Sequence, residues 1–122
     1  MTLNDFYENV LRKLKVVPPN GAALSGDLAR VQSVYPQVHA MLLSEGLVEW
    51  GVTEAIPDKF AIPLTAIVAY QLADDFAIPQ EDLAKLKVEG GLFEPSASLA
   101  ERQLRKLLAA DYVDYTAPTS YF

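Results

Sequence analysis

The chain holds 122 residues, 51% of them hydrophobic and 21% charged, which is the size and mixture of one globular domain with its own core. It has no cysteine, so a disulfide scaffold, a cysteine zinc site and a cysteine nucleophile are excluded, and its one histidine excludes a multi-histidine metal centre. A net charge of −6 opposes grip on a phosphate backbone as the main task.

The first residues alternate charged and apolar side chains, with no basic region followed by an apolar one, so a secretory signal is not expected. Thr2 and Asp5 make a capping-box-like start. Leu3, Phe6, Tyr7, Val10, Leu11 and Leu14 then recur at helical spacing, and Arg12, Lys13 and Lys15 place positive charge at the helix end. Pro18, Pro19, Asn20 and Gly21 close it. Ser25 is the expected N-cap of a second helix, striped by Leu28, Val31, Val34, Tyr35, Val38, Met41 and Leu42. Pro36 inside that stripe predicts a kink or a restart. Gly46 is placed to end the helix in the left-handed conformation, with Leu47 as the apolar residue beyond. A short extended piece is expected around Trp50.

Asp58 is the expected N-cap of a third helix with Phe60, Leu64, Ile67, Val68, Gln71 and Leu72 along one face, and with Ala61, Ala66, Ala69 and Ala73 making much of the rest small. A helix so nearly apolar all round belongs at the centre of a fold. The stretch 61–73 is too short to span a bilayer, which needs about 20 residues. Pro79, Glu81 and Asp82 start a fourth helix reaching about Val88, broken by Gly90 and Gly91. Pro95 to Ser98 lead into a fifth, with Leu99, Leu104, Leu107 and Leu108 apolar and Glu101 paired to Arg105 one turn on. The expected fold is all-α: a small bundle of four to five helices over residues 1–111, followed by an extended C-terminal arm over residues 112–122.

Chemical motifs are scarce. Asp74 and Asp75 are adjacent and point about 100° apart on a helix, so they do not converge for acid–base work. Glu45, Glu49 and Glu54 flank Trp50 without the spacing of a glycosidase cleft. His39 has no nucleophile or acidic partner on its helical face and reads as a surface or half-buried histidine. Gly90-Gly91 follows no strand and precedes no Gly-Lys-Ser/Thr, so it is not a phosphate loop. These readings point to a protein that is not an enzyme, with no cofactor and no metal.

The arm is the least generic part. Tyr112, Val113, Tyr115, Pro118, Tyr121 and Phe122 concentrate apolar and aromatic side chains where a frayed terminus is usually small and polar. Fully extended, such a segment reaches some 35 Å, enough to cross onto a neighbouring subunit. It is expected to dock on another molecule.

The series LRKL at residues 11–14, SEGLVEW at 44–50, AIPDKFAIPL at 55–64, AYQLADDFAIP at 69–79 and a terminal Tyr-Phe resembles small tailed-bacteriophage head-to-tail adaptors, the head-completion and packaged-DNA-stabilisation proteins called tail accessory factors. The resemblance implies a homo-oligomeric ring of twelve copies beneath the portal protein. Such a ring extends the DNA channel, helps retain the packaged genome, and offers a platform to a downstream neck or tail protein, such as a nozzle or tail tube. It implies a virion protein of the head–tail junction, present in the host cytoplasm during assembly, with double-stranded DNA passing through without sequence-specific binding, and with no membrane. The alternative is a small winged-helix-like DNA-binding regulator, suggested by the helix–turn–extended layout of MLLSEGLVEW at 41–50.

Overall fold

The computed structural model describes residues 1–16, 23–91 and 98–116, with residues 74 and 110–116 described in backbone only. It is all-helical: α1 (Leu3–Lys13), α2 (Ser25–Ser44), α3 (Asp58–Leu72), a 3₁₀ turn at Ala73–Phe76, α4 (Gln80–Gly90) and α5 (Leu99–Thr116), with no strand among the described residues. The five-helix expectation holds.

α1 begins as its sequence dictates. Thr2 has extended backbone, and its Oγ1 accepts the Asp5 N–H at 3.2 Å. Its apolar stripe buries Phe6, Val10 and Leu11. The helix ends in a Schellman motif, in which the Lys15 N–H donates to the Arg12 carbonyl at 3.0 Å and the Val16 N–H to the Leu11 carbonyl at 3.1 Å. Lys15 occupies the left-handed position, φ 62°. α2 ends the same way, with Gly46 at φ 69°, donating to Leu43, and Leu47 donating to Leu42 at 2.8 Å. The 3₁₀ turn after α3 closes with Ala77 at φ 51° and the Ile78 N–H facing the Ala73 carbonyl at 3.4 Å.

Three helix ends therefore use one geometry, and only Gly46 adopts it without a steric penalty. Gly46→Ala is expected to lose about 1 kcal/mol, since its Cβ meets no neighbour and only backbone strain acts. Ala77→Gly is expected to gain about 0.5–1 kcal/mol, the relieved strain exceeding the extra chain entropy of glycine. Paired urea titrations of the two variants check both signs.

Several boundaries differ from expectation. α2 starts on Ser25 with Leu24 as its cap, and α3 starts on Asp58 with Pro57 as its cap, neither with a side-chain cap bond. Both polar residues sit one position inside, where a free N–H and a favourable dipole still suit them. α2 runs unbroken through Pro36, which is exposed, so no restart occurs. α4 continues through Gly90, with Gly91 as its cap. α5 carries the backbone of residues 112–116 as helix, while residues 117–122 lie outside the described part of the chain.

α3 holds the centre. Phe60, Ala61, Pro63, Leu64, Ala66, Ile67, Val68, Ala69 and Leu72 are all buried, covering every side of the helix. α1, α2, α4 and α5 each pack on it. α4 comes closest through Gly90, where an added Cβ would lie 2.2 Å from the Ala66 carbonyl oxygen. Ion pairs Lys13–Glu89 and, at 3.4 Å, Lys15–Asp82 link the end of α1 to α4. Both are exposed enough that each contributes under about 1 kcal/mol. The start of α5 is capped by Ser98, whose Oγ accepts the Glu101 N–H at 3.2 Å. Glu101 also meets Arg105 at 3.4 Å, the predicted pairing.

Candidate functional site

An aromatic chain runs through the core. Phe6 contacts Tyr7 and Tyr35, Tyr35 meets His39 edge-on, His39 meets Trp50, and Trp50 packs on Phe60 with ring centroids 5.0 Å apart. Polar atoms inside it are paired. The Trp50 indole N–H donates to the Tyr35 hydroxyl at 3.1 Å, and His39, in the tautomer with its hydrogen on Nε2, donates to the Trp50 carbonyl at 2.7 Å. His39 is 5% exposed, so the reading of a surface or half-buried histidine is corrected. It is a buried fastener between α2 and the turn after it. Its partner lies outside the helix, where the helical face alone cannot show it.

Burial pushes the Tyr35 phenol above its ordinary value of 10.0, the Trp50 hydrogen bond opposing in part and nearby Tyr7 adding to the rise. Burial raises Tyr7 as well. A raised pKa means that the neutral phenol is favoured in the folded state, so its contribution to stability is complete below pH 10 and is lost as pH rises through the folded value. Absorbance titration is expected to show these two tyrosines ionising above the ordinary value of 10.0, with unfolding accompanying Tyr35. A single transition near the ordinary value for all tyrosines would refute the packing.

The other titratable candidates stay apart. Asp75 is exposed on the 3₁₀ turn, and Glu45, Glu49 and Glu54 are all exposed. No group of three or more metal-ligating residues forms among the described residues. Asp58 accepts from the Met1 ammonium at 2.8 Å, and this hydrogen bond and charge hold its carboxyl below the ordinary range. Among the described residues no helix is long and apolar enough to cross a membrane.

The surface is uneven. Ile62 on α3 is 79% exposed, standing between two grooves. One groove, toward α1, is lined by Asn9, Arg12, Lys13 and Thr65. The other, toward α5, is lined by Lys59, Pro63, Gln103, Lys106 and Leu107. Every charged side chain lining either groove is a cation, in a chain of net charge −6. Sequence reasoning missed this ridge, because Ile62 reads there as one more residue of an apolar helix.

Of the expected docking residues, Tyr112, Val113 and Tyr115 fall on the last turns of α5, described in backbone only. Pro118, Tyr121 and Phe122 lie outside the described residues. Comparison of the chain with protein-family models, curated proteins and solved structures finds no match.

Proposed function

We propose that this chain is a structural virion protein, a head-to-tail adaptor of a tailed bacteriophage. On this reading it forms a ring beneath the portal, extends the DNA channel, helps retain the packaged genome, and receives the next neck or tail component. It performs no catalysis.

The observation that supports the reading most is where the quoted segments fall. SEGLVEW forms the Schellman end of α2 and delivers buried Trp50. AIPDKFAIPL supplies buried Ile56 and the first turns of α3. AYQLADDFAIP spans the end of α3, the 3₁₀ turn and the approach to α4. They make up most of the stretch that builds and surrounds the central helix, so the likeness concerns the packing unit rather than scattered positions. The functional reading rests on that likeness of sequence segments. The acidic balance suits a DNA conduit, since like charge keeps phosphates from sticking.

The test uses portal protein encoded in the same genome. The full chain is expected to be captured by immobilised portal and to appear as rings in negative stain. A chain ending at residue 111 is expected to keep its helical circular dichroism and lose capture. Virions purified without this chain overturn the adaptor reading, and undiminished capture of the shortened chain overturns the role of the arm.

A further inference from the structure

The grooves beside Ile62 have a counterpart elsewhere on the same molecule. Between Arg30 and Lys59 the chain carries no lysine or arginine. From the last turn of α2 through the loop that follows, residues 41–54, it exposes Glu45, Glu49 and Glu54 together with Met41 and Leu43, the latter 55% exposed. The ridge is therefore apolar with cationic banks, and the 41–54 segment carries exposed carboxylates, with Glu45 on the same helical face as Met41. On the α1 bank Arg12 pairs with Glu8 and Lys13 with Glu89, whereas Lys106 on the α5 bank projects to solvent.

We propose that these two surfaces associate between copies, the Ile62 ridge of one molecule receiving the 41–54 segment of a second copy of this chain. The occupant follows from charge. Each molecule carries both halves of a complementary pair, and matched potentials steer encounter and fix register. The halves lie on different elements: α2 packs on α1 and α3, and α5 packs on α3 and α4. In the heterologous arrangement, the one the adaptor reading calls for, each copy presents its ridge to one neighbour and its glutamates to the other. Repeated, such a contact closes into a ring or runs on as a filament. This deepens the adaptor reading by naming the faces through which its copies meet.

Sedimentation velocity of the full chain, from micromolar to millimolar concentration, tests it. Wild type is expected to associate with concentration, less so at high salt. Glu45→Lys with Glu49→Lys is expected to weaken association about tenfold or more, and Ile62→Asp with Lys106→Glu likewise. Two chains, each with one disrupted surface, are expected to form a heterodimer on mixing, because one intact ridge still meets one intact glutamate segment. Val88→Asp, at an exposed apolar residue outside both surfaces, is the control and is expected to associate as wild type does. Circular dichroism verifies that each variant is folded. A chain that stays monomeric throughout overturns the proposal, as does association unchanged by either paired variant. So does loss of portal capture by the Ile62→Asp/Lys106→Glu variant with self-association intact, since the ridge would then face another protein. Rings that ignore both variants refute these faces and leave the adaptor reading standing; a chain that associates as described yet is missing from virions refutes the adaptor reading alone.

Discussion

Gly90→Ala is expected to cost about 3 kcal/mol or more, a large share of a small domain's stability. The added Cβ would lie 2.2 Å from the Ala66 carbonyl oxygen, 2.5 Å from its carbon and 2.9 Å from the Ile67 nitrogen. These are backbone atoms of a helix enclosed by its neighbours, so nothing nearby can swing aside. Relief requires α4 to move off α3, which opens the packing around buried Leu86. The same exchange at Gly26, where an added Cβ meets nothing within 4 Å, is expected to gain about 0.5–1 kcal/mol from helix propensity. Urea titrations followed by circular dichroism compare the two. A Gly90→Ala loss below about 1 kcal/mol would refute the close approach of α4 to α3.

Trp50→Ala is expected to cost about 3–5 kcal/mol. The indole is 6% exposed, packs tilted against Phe60 and meets His39 edge-on, so its removal leaves a cavity where the loop joins α2 to α3. The backbone carbonyl that pairs with His39 survives the substitution, which confines the loss to the ring and its N–H. Trp50→Phe separates those two parts. It keeps most of the apolar area and deletes the donor to the Tyr35 hydroxyl, for an expected cost of about 1–3 kcal/mol. Denaturant midpoints of the three proteins should fall in the order wild type, Trp50→Phe, Trp50→Ala. Equal midpoints for the two variants would mean that the ring contributes nothing beyond its hydrogen bond.

What the sequence made legible was local. Thr2 as a cap, the apolar stripe of α1, Gly46 as a helix stop and the central place of α3 all follow from spacing within one or two turns. Ser98 and Glu101 are equally local, a Ser-x-x-Glu pattern standing before an apolar run. The remaining differences are tertiary. Gly90 reads as a breaker in isolation, because its reason is the Ala66 backbone brought against it by the fold. His39 reads as half-exposed because its partner, the Trp50 carbonyl, is eleven residues away and beyond the end of its helix. The cationic banks of Ile62 unite α1, α3 and α5, three segments whose spacing in the chain carries no sign of proximity.

Because the inner turns of α3 are covered by the other four helices, the backbone amides from Leu64 to Ala69 are shielded from solvent until the whole molecule opens. Their hydrogen exchange should therefore report global unfolding, and limited proteolysis should release no stable sub-fragment containing α3. A molecule organised about such a hub meets its partners as a finished block, changing at its rim and not in its middle.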